Sequence, residues 1–351
     1  MKTLRSVLPP LVVVLALIGV VGLAALAAGV ASSWWAGLGL VSALGAAWLG
    51  LRLARSWVPR RTVLEIDFDR GIIEQVPSSP LARAQAAHAY PLLDLLDALE
   101  RAADDRRVVG LVARVGGGSP GTARAQEVAD AIAAFTTSGK PAVAYAETLG
   151  ELTSGSLAAF LIGASFDELY LQPGGELGIT GMVHRKFYLR GLLDKLGVTP
   201  QLDHRHEYKA AKYVLTEDHM VDPDREATTK YVDAQFEQLI DGIAAGRNLD
   251  PAVVRALIDR APLLAQEARD AGLVDDLLYR DQVYTQIREG WGKNGRTLDL
   301  ATYLKRAKGP HRRGPTIALV YGTGAVVQGL SLIHISEPTR RATISRMPSS
   351  A

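Results

Sequence analysis

No cysteine occurs among the 351 residues, which excludes disulfides, thiolate catalysis and cysteine-ligated zinc. Charge of either sign is nearly cancelled: 39 Lys+Arg face 37 Asp+Glu, a formal +2. With no basic patch interleaved with aromatics in the middle of the chain, this balance sets nucleic acid aside as a partner. A phosphate-cradling loop is also missing, because Gly116-Gly117-Gly118 is followed by neither Gly-Lys-Ser/Thr nor a full Gly-x-Gly-x-x-Gly. The seven histidines offer no metal-ligand spacing beyond His204-x-His206, a poor zinc signal, and are expected to be solvated. Neither a metal nor a cofactor is expected.

One absence is local. No charged side chain stands between Arg5 and Arg52, and within that run residues 11–30 are twenty consecutive apolar or glycine residues, about what a ~30 Å hydrocarbon core requires. Residues 34–51 form a second uncharged stretch, and Ala31-Ser32-Ser33-Trp34-Trp35 between the two combines small polar residues with interfacial aromatics. The expectation is a retained membrane anchor over residues 1–61, a helical hairpin with segments at about 8–30 and 34–51, since a cleaved signal peptide has an apolar region of only ~7–15 residues. Lys2 and Arg5 precede it while Arg52, Arg55, Arg60 and Arg61 follow, so the positive-inside rule places both ends in the cytoplasm if both segments span. A single span would put the remainder outside, and the sequence leaves the side open.

Beyond the anchor, 48% hydrophobic against 22% charged residues describes a folded protein. Strand and helix alternate: strands are expected over 62–68, 108–115, 141–145 and 168–171, and helices over 90–103, 122–137 and 156–164. This rhythm implies a mainly parallel sheet covered by helices. Helices dominate afterwards, over 187–196, 225–245, 251–260 and 264–271, with Asp222-Pro223-Asp224 and Asn248-Leu249-Asp250-Pro251 supplying turn or cap chemistry. Residues 62–304 read as a first α/β domain, and 305–329 as a basic linker with the opening strand (316–321) of a second. Residues 330–351 have no coherent period; Leu330-Ser331-Leu332-Ile333-His334-Ile335-Ser336-Glu337-Pro338-Thr339-Arg340 looks like a translated transposase-type sequencing adapter, a non-native tail.

Several short segments, weak singly, are specific in their order. They are Val108-Val109-Gly110-Leu111-Val112 leading to Gly116-Gly117-Gly118, Ser138-Gly139-Lys140-Pro141-Ala142-Val143-Ala144, Glu168-Leu169-Tyr170-Leu171-Gln172-Pro173, Leu177-Gly178-Ile179-Thr180-Gly181, Leu193-Asp194-Lys195-Leu196-Gly197-Val198 and Tyr208-Lys209-Ala210-Ala211. Together they resemble the signal peptide peptidase A (protease IV) family of membrane-bound Ser-Lys peptidases, over residues 62–329. The resemblance implies a crotonase/Clp-protease-like fold, location in the cell (inner) membrane, peptide substrates such as cleaved signal peptides, and a homo-oligomer. In the long form of that family two homologous domains occur in tandem, the first giving a lysine base and the second a serine nucleophile. The serine-bearing part is then expected to be missing, and the fragment to be inactive unless one of its own serines serves.

Lys209 matches the family lysine and is the expected general base. Lysine carries a proton with a pKa near 10.4, and lowering it by ~3 units costs about 4 kcal/mol of differential desolvation, so the role demands a dry niche or a neighbouring cation. Lys212, three residues on along the same helical face, is the internal rival, expected as a solvated or substrate-facing charge. Gly116, Gly117 and Gly118 follow a buried strand, where their amides could face a developing oxyanion or substrate; an ordinary glycine turn is the alternative. Ser154 and Ser156 lie near where single-domain relatives hold the nucleophile, although the register misses by a few residues, and a helix N-cap explains Ser156 as well. Two competing readings keep the same core pattern: a catalytically silent membrane-anchored scaffold and a crotonase-like acyl-CoA enzyme.

Overall fold

The computed structural model describes residues 41, 45, 48, 57–77, 79–150, 156–291, 295–307 and 318. The chain divides into two compact units, 1–310 and 311–351; of the second only Ala318 is described. The expected hairpin at 8–30 and 34–51, apart from three isolated positions, lies outside the described residues, as do Ser154, the strand at 316–321 apart from Ala318, and the tail. Among the described residues no helix is long and apolar enough to cross a membrane.

Six strands form one sheet: β1 Thr62–Asp67, β2 Val108–Arg114, β3 Ala142–Ala146, β4 Glu168–Leu171, β5 Asp276–Leu277 and β6 Arg296–Asp299. Their order is β6-β1-β2-β3-β4-β5, and every neighbouring pair is parallel. A parallel sheet is covered on both faces, so its strands read as near-continuous apolar runs. The alternation assigns each face: Leu64, Ile66, Leu111, Ala113, Ala142 and Ala144 belong to the larger core, and Val63, Val112, Val143, Tyr145 and Tyr170 to a smaller one.

Helices α1 Leu92–Asp104, α2 Thr122–Thr136, α3 Ser156–Ala164 and α4 Asp222–Arg247 form the larger layer, α1 against α2, α2 against α3 and α3 against α4. Buried residues of α1 fall at 92, 95, 98, 99 and 102, and those of α2 at 125, 128, 129, 132 and 135, the stripe a helix needs to face a sheet. Helix α3 is buried at every position, which fits a sequence (SLAAFLIGA) with no polar face. Helix α5 Pro251–Arg260 packs on α4. On the other face lies α6 Arg280–Trp291, seated through Val283 and Ile287, and α7 Leu300–Ala307 closes the edge against α1. The end of α1 is capped from a distance: the Lys140 ammonium donates to the carbonyls of Ala102, Ala103 and Asp105 at 2.6, 2.7 and 2.9 Å. Cations are favoured at helix C-termini, and burial pushes this amine below the ordinary lysine value.

Residues 182–216 follow a different plan. The helix expected over 187–196 is only Arg190–Lys195, and no residue of it is buried. Val183, Phe187, Leu192, Leu196 and Leu202 are exposed, Phe187 at 81%. The arm is tied down by polar contacts: the Leu189 amide donates to the Val214 carbonyl at 2.7 Å, and Lys186 pairs with Asp224 at 2.5 Å. Asp224 is only 3% exposed, and Tyr188 donates to the same carboxylate at 3.4 Å.

Candidate active site at the carboxyl edge of the sheet

In parallel α/β sheets, ligands gather outside the carboxyl ends of the strands. There β2 runs through Val115 into Gly116-Gly117-Gly118, and the turn after β1 presents Asp69. The Gly117 amide donates to Asp69 Oδ1 at 3.0 Å. Arg114, at the end of β2, pairs with Asp69 at 3.2 Å and with Glu147, just past β3, at 3.4 Å. One of the three amides considered for an oxyanion is therefore engaged by a carboxylate. Gly118 sits so close to the preceding turn that a Cβ would lie 2.9 Å from the Phe68 carbonyl oxygen. Phe68, Ile72, Gly116, Gly118, Ala159 and Ile162 line a small apolar recess here.

Ser156 is the first residue of α3 and only 2% exposed. Gly150 presses on it: its φ is +81, in the left-handed region that favours glycine, and a Cβ there would sit 2.4 Å from Ser156 Cβ. The Gly150 amide donates to the Gly116 carbonyl at 3.2 Å, and the Gly178 amide to the Leu149 carbonyl at 2.7 Å. The fold thus brings the glycine turn, Gly150 and Ser156 together, although Ser156 lies 38 positions after Gly118 in the sequence.

Lys209 lies on the arm, exposed, just before a 3₁₀ turn at Ala210–Lys212. Its amide donates to the His206 carbonyl at 2.9 Å, and its ammonium has no hydrogen-bond or ion-pair partner among the described residues. Lys209 and Lys212 do not share a helical face: the first caps the turn and the second ends it, its ammonium 5.8 Å from the centre of the Tyr213 ring. Two residues that the sequence reading missed lie beside this loop. Tyr213 is buried, and its hydroxyl donates to the Glu207 carbonyl at 2.8 Å. His204 Nε2 meets the same hydroxyl at 3.1 Å, so the expectation of a solvated histidine fails here. Nothing in the spacing of His204 and Tyr213 marks them, since the chain between them has no regular period. Tyr208 donates to Glu226 Oε2 on α4 at 2.8 Å, and this bond to a carboxylate holds the Tyr208 hydroxyl above its ordinary value. Among the described residues no group of three or more His, Asp or Glu is arranged to hold a metal ion.

Residues 134–293 match the family described as Peptidase family S49. Protease 4 of Salmonella typhi is 25% identical over 253 residues, covering 68% of this chain and 40% of that protein. The chloroplastic serine protease SPPA of Arabidopsis thaliana is 25% identical over 206 residues, covering 58% of this chain and 30% of that one. The solved 1510-N membrane-bound stomatin-specific protease, 12% identical, covers 68% of this chain and 97% of its own with a TM-score of 0.37. The chain thus spans less than half the length of the first two relatives. The matched stretch contains Ser156, the whole arm and Lys209, and this match together with these relatives supports the resemblance to the signal peptide peptidase A (protease IV) family.

Proposed function

We propose that this chain is the lysine-bearing part of a membrane-anchored Ser-Lys endopeptidase that degrades cleaved signal peptides. The observation that carries the reading is the position of Lys209 inside the Peptidase family S49 match, on a loop where nothing described competes for its amine. In this mechanism the neutral amine of Lys209 accepts the proton of a serine hydroxyl as the oxygen attacks the peptide carbonyl, and backbone amides hold the oxyanion. Ser156 is a poor nucleophile for it, because a 2% exposed side chain cannot reach a peptide without rearrangement. The reading therefore assigns the nucleophile to a serine of a second domain, as in the long form of the family. The Gly116 and Gly118 amides, which have no hydrogen-bond partner among the described residues, can contribute to substrate binding, whereas the Gly117 amide already serves Asp69.

A lysine base must be shielded from water, and Lys209 is exposed on this chain. The exposed apolar side chains of the same arm, Val183, Phe187, Leu192 and Leu196, support an assembly in which another domain or protomer covers the arm. The same exposure favours a second reading, a catalytically silent scaffold held in the bilayer by residues 1–61. The two part on one experiment. Cleavage of a signal-peptide-derived fluorogenic peptide by the membrane-embedded full-length protein is expected to fall by about 10²- to 10⁴-fold in Lys209→Ala, the usual weight of a general base. A parent protein that cleaves nothing leaves the scaffold, and cleavage unchanged in Lys209→Ala removes Lys209 as the base.

A further inference from the structure

Lys209 itself is held by backbone alone, so the orientation of its loop must come from neighbours. The Tyr213 hydroxyl has one proton, and the Glu207 carbonyl 2.8 Å away can only accept it. His204 Nε2, 3.1 Å from the same oxygen, must then be the donor, so Nε2 carries a proton. Its Nδ1 is buried without a hydrogen-bond partner among the described residues, and the nearest carboxylate, the exposed Asp203, is 4.0 Å away. The rings of His204 and Tyr213 also pack edge to face at 5.5 Å and 75°. A single hydroxyl therefore fastens both limbs of the loop, at residue 204 and at residue 207, to the helical turn that follows it.

We propose that Tyr213 is a positioning residue for the base, with His204 as its support: the chain His204 Nε2–H to Tyr213 hydroxyl to Glu207 carbonyl sets the loop that presents Lys209. Glu207 is two residues before Lys209, and the Lys209 and Ala210 amides close tight turns onto the His206 and Tyr208 carbonyls, so a displacement at 207 is transmitted directly. The inference rests on the peptidase reading only for its kinetic consequence. Tyr213→Phe keeps the ring but strands the Glu207 carbonyl and His204 Nε2. His204→Gln keeps a donor at about the same reach, and His204→Phe keeps none.

The test compares these three variants with the parent full-length protein by hydrogen–deuterium exchange over residues 204–210 and by peptide cleavage. Tyr213→Phe and His204→Phe are expected to speed exchange at Lys209 and Ala210 and to lower kcat about 10- to 100-fold at unchanged KM, the cost of small misplacements of a reacting group. His204→Gln should restore most of both. Unchanged exchange overturns the proposal, and so does faster exchange with kcat intact. Should the parent itself cleave nothing, the peptidase reading falls alone; acetic anhydride labelling of Lys209 then decides, with altered labelling in Tyr213→Phe and recovery in His204→Gln expected, and identical labelling in all four proteins overturning it.

Discussion

The α/β body and the arm at 182–216 are stabilised by different physics. In the body, Leu64, Leu95, Leu111, Ile132 and Phe160 are fully buried between sheet and helices, and stability scales with apolar area removed from water. In the arm, apolar side chains face outward while Lys186, Tyr188, Tyr208 and Tyr213 reach for fixed acceptors. Directional contacts specify a conformation at little area, and elements built so belong to the readily opened part of a protein. The base proposed for catalysis sits on that part, where a covering domain or protomer can complete its surroundings.

The sharpest way to break the comparison is a pair of aromatic truncations. Phe160→Ala is expected to cost about 3–5 kcal/mol, because it leaves a cavity where the packing cannot collapse. Phe187→Ala should change the stability of the separated chain by no more than about 0.5 kcal/mol. Urea unfolding measures both, and a Phe187 variant as damaged as the Phe160 variant would mean that the arm is covered in the folded chain itself.

Lys186→Met asks how firmly the arm is held. It leaves the Asp224 carboxylate buried without its cation, a loss of about 3–5 kcal/mol for a fully enclosed pair, and about 2–3 kcal/mol here because the lysine end keeps some contact with water. The loss should surface first as faster proteolysis within 182–216 while the unfolding midpoint of the body moves less. Equal effects on both would show that the arm and the body open as one unit.

Much of the body is legible in sequence for the reason that makes it stable. Residues 108–113 form an unbroken apolar run because both faces of β2 are covered, and the helices over 156–164 and 251–260 begin and end where their caps and composition predict. Edges are harder to read. The strand β6 has four residues, two of them exposed, and α6 buries only Val283 and Ile287, so neither carries a strong period. The site is less legible still. Asp69 meets Gly117 across 48 residues, and Tyr213 meets Glu207 through a hydroxyl that no hydrophobic pattern records. The helical reading of 209–212 failed because a single 3₁₀ turn has the same composition as the start of a helix. Lys209 was found through its resemblance, since spacing alone does not separate a base from a surface lysine.

A smaller contrast comes from two glycines in helices. At Gly246 on α4 a Cβ would lie 2.4 Å from the Ala164 carbonyl oxygen, and at Gly191 on the arm it would meet nothing within 4 Å. Gly246→Ala is expected to cost about 1–3 kcal/mol through overpacking. Gly191→Ala should stabilise its short helix by up to about 1 kcal/mol, the helix-propensity difference. Thermal unfolding with opposite signs for the two substitutions is the expected outcome, and a destabilising Gly191→Ala would reveal a packed surface on the arm.

The mildest distinction leaves neutral pH untouched. Burial, opposed by the Asp67 amide and reinforced by Asp299, pushes the Tyr90 hydroxyl up to about 12, and burial likewise pushes Tyr145, Tyr170, Tyr284 and Tyr303 upward. A tyrosine raised on folding holds its proton longer in the native state than in the unfolded chain, where it titrates near 10. Its contribution is therefore complete below about pH 10 and is lost as pH climbs to about 12. On the arm, Tyr208 is raised by its bond to Glu226 while fully exposed, so solvent screening removes most of its weight. Urea midpoints for the body should fall between pH 10 and 12, less steeply in Tyr90→Phe and with the parent slope in Tyr208→Phe. A slope that follows Tyr208 instead would place the alkaline-sensitive contacts on the arm.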